Sequence, residues 1–297
     1  MSDTTTTSIQ VSIPRIDLLS DKNFNQAFLV YVSVTDQDGN VLAEFNENNF
    51  DLAYICKGDV DTIDIQNHTF IPEFDKRDQI AVGNTMDYSG SMSSQDILDM
   101  EGSVKHFIRM KDEEDYMQII KFHTEVFVMN EFTNDTLELI NAVNEGVGSG
   151  WTAYYQAVID GLDNAYEFTS IHTDLFPTII AFTDGFNNVA PNDPETVINR
   201  AIALQIPVYT VGFGHVNEPD MLRIANETGG RYFYTPSSAE IAGLYTAISG
   251  QLSNIYGLTT QELTLSCDEL FIIVHVVYEN YHGIHHAAAT REVYIGP

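Results

Sequence analysis

The sequence is short of positive charge. Its 297 residues include 13 Lys and Arg against 43 Asp and Glu, which gives a formal net charge of -30. A chain with so few basic residues is not expected to bind nucleic acid or an anionic membrane surface through a basic patch. The balance favours partners that bring a cation or use one as a bridge. The alternative is that the acidic charge keeps the protein soluble in a salty or calcium-rich environment.

Long apolar runs are also missing. No stretch of eighteen or more apolar residues occurs, so no membrane-spanning helix is predicted. No apolar h-region follows Met1, so the sequence contains no recognisable secretory signal, although a signal removed during processing would leave the same pattern. Residues 1–8 are polar and rich in threonine, and we interpret them as a tether.

Cysteine and tryptophan are scarce. The two cysteines, Cys56 and Cys267, lie far apart, and each falls within or beside a β-like run. We interpret them either as two buried free thiols or as one disulfide, which would join the two flanks of the chain. Trp151 is the single tryptophan.

Both flanks of the chain have β-like composition. Runs rich in β-branched and aromatic residues predict strands at 9–13, 28–34, 41–45, 59–65, 263–266, 270–278 and 292–295. An Asp-Gly pair predicts a turn at 36–40. A lone C-terminal hairpin would be marginal in water, so we expect residues 257–297 to pair with residues 9–77 in one discontinuous β-sandwich. A bond between the two cysteines fits this arrangement.

Residues 78–256 alternate between strand-like and helix-like segments. Strands are predicted at 79–86, 116–122, 126–129, 177–183, 208–214 and 231–234, and helices from 93, from 135, and at 152–166, 194–205, 220–227 and 238–253. Repeated βα units predict an α/β fold with a doubly wound, mostly parallel sheet. Ligand sites in such sheets lie beyond the carboxyl ends of the strands.

One strand-to-helix turn carries a distinctive set of oxygens. The segment Asp87-Tyr88-Ser89-Gly90-Ser91 follows the strand at 79–86 and places a carboxylate and two hydroxyls at alternate positions. Oxygen ligands suit a hard divalent cation. They do not suit zinc or copper, which prefer nitrogen or sulfur.

This turn, D-x-S-x-S, resembles the metal-ion-dependent adhesion site of the von Willebrand factor type A (VWA) domain. Two later segments complete the resemblance in the right order: Gly150-Trp151-Thr152-Ala153 and the strand that ends in Thr183-Asp184-Gly185. The resemblance covers roughly residues 78–256 and implies a Rossmann-like domain inserted in, or flanked by, the β-sandwich. It implies that Asp87, Ser89, Ser91, Thr152 and Asp184 hold Mg²⁺, with Mn²⁺ or Ca²⁺ as alternatives. The segment 83–85 is less apolar than this family usually has before the first Asp.

Aromatic and amide residues adjoin the expected ligands in sequence. We predict a recognition surface built from the aromatic and amide residues Tyr88, Trp151, Tyr154, Phe186, Asn187 and Asn188. For Tyr154 the alternative is that its ring packs beneath the loop.

Three other patterns carry less weight. The glycines at 146, 148 and 150 lack the lysine and the spacing of a phosphate loop. The histidines at 282, 285 and 286 lack the H-E-x-x-H order of a zinc peptidase, so we expect them in a hairpin loop. Ser89 has no G-x-S-x-G context, which argues against a nucleophile.

The resemblance implies a binding protein that is not an enzyme. We expect a metal-dependent module that grips a protein or surface ligand through a carboxylate, on a bacterial cell surface or secreted. The Ser-Asp-Thr start resembles the segment behind the lipid-bearing cysteine of a lipoprotein, so a lipid anchor is expected in the native precursor.

Two alternatives from other classes remain. One is an intracellular adaptor that works with an ATPase or chelatase assembly, as some type A proteins do. A Cys56–Cys267 disulfide would favour the extracellular hypothesis over this one, since cytosolic thiols stay reduced. The other is a metal-dependent hydrolase, which is weaker because no general base is evident.

Overall fold

The structure is a computed structural model that describes residues 5–19, 25–37, 41–72, 79–184, 186–191, 193–213, 217–235 and 255–295. The chain separates into two compact units. We call Asp78–Thr246 the α/β unit, and Met1–Arg77 together with Ala247–Pro297 the β unit. Within the described ranges, no helix is long and apolar enough to cross a membrane.

Sixteen strands, five α-helices and one short 3-10 helix, Glu47–Asn49, make up the described part of the chain. The strands are β1 (Ile9–Leu18), β2 (Asn25–Gln26), β3 (Phe28–Asp36), β4 (Phe50–Cys56), β5 (Ile63–Ile65), β6 (His68–Ile71), β7 (Gln79–Asp87), β8 (Tyr116–Phe122), β9 (Val126–Val128), β10 (Leu175–Thr183), β11 (Val208–Phe213), β12 (Tyr232–Thr235), β13 (Tyr256–Thr260), β14 (Leu263–Thr264), β15 (Glu269–Asn280) and β16 (Gly283–Tyr294). The helices are α1 (Ser94–Met110), α2 (Thr136–Asn144), α3 (Tyr154–Ile171), α4 (Pro194–Leu204) and α5 (Glu218–Thr228).

The α/β unit is built on a six-stranded sheet in the order β12-β11-β10-β7-β8-β9. All neighbouring strands run parallel except β9, which is antiparallel to β8. The central strands β7 and β10 are buried along almost their whole length, as expected where helices cover both faces. The predicted doubly wound, mostly parallel sheet is confirmed.

Local sequence signals start three of the helices. Ser93 caps α1 and forms a reciprocal capping box with Asp96. Asp135 caps α2, and Asp193 caps α4 with Pro194 in the first turn. Each of these helices therefore begins where a polar side chain accepts a hydrogen bond from a backbone amide of the first turn. Helix α3 runs to Ile171, five residues beyond its predicted end.

A packing constraint explains the glycine in β7. A Cβ atom on Gly83 would lie 2.7 Å from Cδ1 of Ile179 and 3.8 Å from the carbonyl oxygen of Gly161 in α3. The end of the Ile179 side chain, on the neighbouring strand β10, would have to move to make room for a side chain at position 83. Glycine at this position of β7 therefore lets Ile179 pack against it.

The β unit contains two four-stranded antiparallel sheets, in the orders β1-β3-β13-β6 and β16-β15-β4-β5, and a two-stranded pair, β14-β2. One apolar core includes residues of both larger sheets, among them Val30, Leu52 and Val274. The C-terminal strand β13 pairs with β3 and β6, and β15 pairs with β4. The expectation of a discontinuous β-sandwich is thus confirmed.

Several sequence-based strand boundaries are wrong. Residues 41–45 form no strand, because Val41 makes a single bridge to Thr35 and the ring of Phe45 packs on Phe50 and Tyr256 instead. In the segment 59–65, only Ile63–Ile65 pairs with β4. The turn at 36–40 lies partly, and the helix at 238–253 wholly, outside the described residues.

The histidine segment also differs from the prediction. His285 and His286 lie within β16 and pair with β15, so the predicted hairpin loop is wrong for both. The turn itself consists of Tyr281 and His282, and it ends at Gly283, whose φ of 126° suits glycine.

A disulfide joins Cys56 and Cys267, with their Cα atoms 5.9 Å apart. The alternative of two free thiols is therefore wrong. The bridge links residues 211 positions apart and lies at the end of β4, close to where β15 begins. It closes the two flanks of the chain into one unit.

Reduction of this bridge should destabilise the β unit. Closing a loop of this length restricts the unfolded chain, and removal of a native disulfide typically costs about 2–5 kcal/mol. We expect calorimetric melting of the protein to shift to lower temperature with reductant. The double variant Cys56→Ser/Cys267→Ser should melt at that lower temperature with or without reductant. Identical melting of the native protein in both conditions would contradict this role.

Candidate functional site

The carboxylate of Asp87 lies at the carboxyl end of the central strand β7 and is fully buried. One of its oxygens accepts a hydrogen bond from the backbone amide of Ser89 at 2.7 Å. The other accepts a hydrogen bond from the hydroxyl of Thr183, the last residue of β10, also at 2.7 Å. Two adjacent parallel strands thus fix the position of this group.

Burial raises the pKa of Asp87 from 3.8 to about 6, and the nearby charge of Asp184 adds to the rise. Hydrogen bonds from Thr183 and Ser89 lower it in part. Burial likewise raises the pKa of Asp184, and the hydroxyl of Ser91 opposes that rise. Among the described residues, no Lys, Arg or His forms an ion pair with either carboxylate. The pair lacks a cation to balance it.

Hydroxyl groups connect the two carboxylates. The hydroxyls of Ser89 and Ser91 lie 3.2 Å apart, and Ser91 donates to Oδ1 of Asp184 at 2.8 Å. The structure therefore gathers four of the five predicted ligands at the ends of β7 and β10. Neither described hydrogen bond of these serine hydroxyls involves a histidine, so no activated serine is evident.

The fifth residue, Thr152, is buried on the loop between α2 and α3. This loop is joined to the turn after β7, since the amide of Gly90 donates to the carbonyl of Gly150 at 2.8 Å. The amide of Trp151 donates to Oγ1 of Thr124 at 2.8 Å. A Cβ on Gly150 would lie 2.3 Å from that same oxygen, so only glycine permits this approach.

Asn188 holds the backbone of Thr152, a role that sequence reasoning missed. Its side-chain Oδ1 accepts a hydrogen bond from the backbone amide of Thr152 at 2.6 Å. The backbone amide of Asn188 donates to the carbonyl of Thr152 at 3.0 Å. The amide of Val189 donates to the same carbonyl at 3.3 Å. The segment after Asp184 and the loop that carries Thr152 are therefore fixed to each other.

Asn187 is half-buried and makes hydrogen bonds within this loop, and its predicted surface role stays a prediction. Its Oδ1 accepts from the amide of Tyr155, and its Nδ2 donates to the carbonyls of Val189 and Pro191. All of these bonds are internal to the unit. The only sequence signal was the Asn-Asn pair, which favours turns.

Tyr88 and Tyr154 are buried, so their predicted exposure to a partner is wrong. The hydroxyl of Tyr88 donates to Oε1 of Glu101 at 3.0 Å, and Nζ of Lys121 lies 4.7 Å from its ring centroid. The ring of Tyr154 packs against Phe122. The alternative that Tyr154 lies beneath the loop is the one observed.

Lys121 lies beneath Tyr88, and no pattern in the sequence pointed to it. It is fully buried, and its Nζ donates to the carbonyls of Val143 and Glu145 at the end of α2. Burial lowers its pKa to about 8. It joins β8, the end of α2 and the ring of Tyr88.

Trp151 and Phe186 are exposed, with 66% and 57% of their surface accessible. They are the two aromatic residues of the predicted surface that the structure places in solvent. Trp151 adjoins Thr152, and Phe186 lies two residues before Asn188, so the hydrogen bonds between those residues place both aromatics on neighbouring loops.

The donor chemistry fits a hard divalent cation. Two carboxylates and a set of hydroxyls offer oxygen alone, which suits Mg²⁺, Mn²⁺ or Ca²⁺. Across the described ranges, no group of three or more His, Cys, Asp or Glu side chains is placed to hold a metal. A nitrogen- or sulfur-rich centre of the zinc or copper type is therefore not seen there.

Comparison with known proteins gives a family-model match and curated relatives at low identity. The family model of the von Willebrand factor type A domain matches residues 85–247. The chain is 24% identical over 197 residues to the Synechocystis sp. protein named "Uncharacterized protein sll0103", covering 65% of this chain and 46% of that one. It is 26% identical over 191 residues to the rat inter-alpha-trypsin inhibitor heavy chain H3, covering 56% and 21%. The chain thus spans less than half the length of both relatives.

A solved structure shares the fold over nearly the whole chain. The von Willebrand factor type A protein from Catenulispora acidiphila superposes with a TM-score of 0.54 at 10% identity. The match covers 98% of this chain and 75% of that protein. At this identity the likeness concerns the fold alone.

The burial of Asp87 predicts a pH-dependent stability in the metal-free protein. The folded-state pKa, about 6, exceeds the ordinary value of 3.8, so the unfolded chain releases this proton at lower pH. Stability should therefore fall as the pH rises from about 4 to 6, by on the order of 3 kcal/mol. Asp87→Asn lacks the cost of ionising a buried carboxylate. In urea unfolding with chelator present, this variant should be more stable than the native protein at pH 7. An equal pH dependence in both proteins would refute the prediction.

Proposed function

Because its family model covers more than half of the chain, the protein belongs to the von Willebrand factor type A family, and we propose that it is a metal-dependent binding module that is not an enzyme. It would grip a protein or surface ligand through a divalent cation held at the end of β7. The observation that carries this proposal is the buried carboxylate of Asp87, linked through hydroxyls to Asp184 without a protein cation.

Asp87, Ser89, Ser91, Thr152 and Asp184 would hold the ion, directly or through water. We propose Mg²⁺ as the resident metal, with Mn²⁺ and Ca²⁺ as alternatives, because the donors are all oxygens. A bound Mg²⁺ keeps exchangeable water, and a carboxylate of the partner can replace that water in a charge-assisted contact. The chain's part is to fix these oxygens before binding.

The disulfide supports an extracellular location. Disulfides persist in oxidising compartments and are rare in the cytosol, and the β unit contains one between Cys56 and Cys267. We therefore propose that the protein lies on the cell surface or is secreted. The same disulfide argues against the intracellular adaptor that works with an ATPase. Residues 5–8, part of the predicted tether, are attached to the β unit, since Thr6 is buried and its carbonyl accepts a hydrogen bond from Nδ2 of Asn280.

A hydrolytic function has no support among the described residues. The hydroxyls of Ser89 and Ser91 bond to each other and to Asp184, and no histidine accepts a proton from them. Asp87 is engaged by two donors and is fully buried. A general base within reach of a substrate is therefore not evident.

Metal binding tests the proposal directly. We expect calorimetric titration of Mg²⁺ or Mn²⁺ into the metal-free protein to give saturable binding of one ion, lost in both Asp87→Ala and Asp184→Ala. Asp174→Ala is the matched control, because Asp174 is exposed and adjoins the opposite end of β10, roughly 30 Å along the strand. Absence of binding in the native protein, or equal binding in all variants, would refute the metal site.

Asn188 should act as a positioning residue for Thr152. Asn188→Ala removes the hydrogen bond that Oδ1 of Asn188 accepts from the amide of Thr152, which should cost about 1–3 kcal/mol of ordering. That corresponds to a rise in the Mg²⁺ dissociation constant of about 5- to 150-fold. Asn130→Ala is the control. The side chain of Asn130 likewise accepts a hydrogen bond from a backbone amide, that of Ile119, but it also bonds Met117 near the start of β8. A lowered melting temperature with unchanged Mg²⁺ affinity in Asn188→Ala would mean a structural role only.

A further inference from the structure

Three loops meet around the candidate metal site through direct hydrogen bonds. Thr124 accepts from the amide of Trp151, and Asn188 accepts from the amide of Thr152. The amide of Ala153 donates to the carbonyl of His123 at 2.8 Å. The loops at 123–125, 150–153 and 186–189 therefore form one surface beside the ends of β7 and β10.

Two aromatic side chains extend from this surface into solvent, Trp151 and Phe186. Their backbones are fixed, because Trp151 donates to Thr124 and the loop after Phe186 is anchored by Asn187 and Asn188. Aromatic side chains on a fixed backbone lose little entropy on binding and are common anchors of interfaces. They provide the apolar part of a docking surface.

The loops around the site contain no Lys or Arg. The segments 87–96, 122–126, 146–156, 184–195 and 217–220 lack both residue types. Besides Asp87 and Asp184 they carry the acidic residues Asp96, Glu125, Asp193, Glu195, Glu218 and Asp220. Of these, Glu195 is paired with Arg223 from α5. A bound divalent ion would be the only fixed positive charge that these loops present.

The same imbalance extends over the whole α/β unit. Residues 78–246 contain 25 Asp and Glu against 7 Lys and Arg. Such a surface attracts a basic partner and repels an acidic one over roughly a Debye length, ~10 Å at moderate salt. A carboxylate can therefore reach the ion most easily when basic groups surround it.

From these observations we infer the chemistry of the partner. It is a basic protein surface on which one carboxylate, flanked by apolar side chains, enters the metal site while the apolar neighbours contact Trp151 and Phe186. This inference rests on the proposed metal-dependent function and adds the specificity to it. An acid-rich partner is the competing outcome.

Defined peptides test this specificity on the full chain in Mg²⁺. The first is a lysine-rich peptide whose single glutamate lies between two leucines. The second has glutamine in place of that glutamate, and the third has glutamates in place of the lysines. Because Trp151 is the only tryptophan and is exposed, its fluorescence reports binding beside the site.

We expect the lysine-rich glutamate peptide to bind saturably and to be released by chelator. The glutamine and acid-rich peptides should bind at least about tenfold more weakly at low salt, which corresponds to about 1.4 kcal/mol. The gap between the lysine-rich and acid-rich peptides should narrow as salt is raised.

The possible failures are distinguishable. Absence of Mg²⁺ binding, or equal binding of the glutamate and glutamine peptides, overturns the metal-dependent function itself. Mg²⁺ binding with no uptake of the lysine-rich peptide at millimolar concentration overturns only the inferred partner. Equal or tighter binding of the acid-rich peptide does the same.

Variants of the surface provide a second test, read by calorimetry because one removes the tryptophan. Trp151→Ala and Phe186→Ala should each lower the affinity for the lysine-rich peptide by about 5- to 30-fold. Glu125→Lys should lower the affinity for the lysine-rich peptide and raise the affinity for the acid-rich peptide.

Tyr166→Ala is the matched control. Its ring is 51% exposed, and it lies twelve residues after Tyr154 on α3, roughly 18 Å along the helix. It should bind the peptides as the native protein does. A melting curve of each variant separates unfolding from loss of contact. Unchanged peptide affinity in both aromatic variants would overturn the docking surface.

Discussion

The hydrogen bond between the hydroxyl of Thr183 and the carboxylate of Asp87 is the contact on which the candidate site depends. It fixes a carboxylate inside the sheet, where burial opposes ionisation and raises its pKa to about 6. Only the parallel pairing of β7 with β10 brings these two residues, 96 positions apart, to the same edge. A cation bound there would favour the ionised form, so metal binding and stability are coupled.

The remaining parts of the site are held by backbone contacts between loops. Asn188 bonds the backbone of Thr152 on both sides, and Gly90 bonds Gly150. The contacts to Thr152 fix its position through the backbone and do not use its hydroxyl, which stays available to an ion. The exposed rings of Trp151 and Phe186 are carried by the same fixed loops.

The β unit is built from strands that come from both ends of the chain. β13 and β15 pair with strands that precede the α/β unit in sequence, so the sandwich forms only when the two flanks meet. The loop-closure entropy of such pairing is large. The disulfide between Cys56 and Cys267 removes part of that cost from folding.

The sequence alone determined the fold class and the pairing of the two flanks, because periodicity, β-like composition and helix caps are local signals. It also predicted the candidate set of metal ligands, through the D-x-S-x-S spacing and the family resemblance. It did not determine which neighbours face a partner. Tyr88 turns its ring to Lys121, whereas Trp151 is exposed, although both adjoin expected ligands. Only the tertiary structure decided these orientations and the role of Asn188, because each depends on contacts between segments far apart in the chain, which packing sets and local pattern does not record.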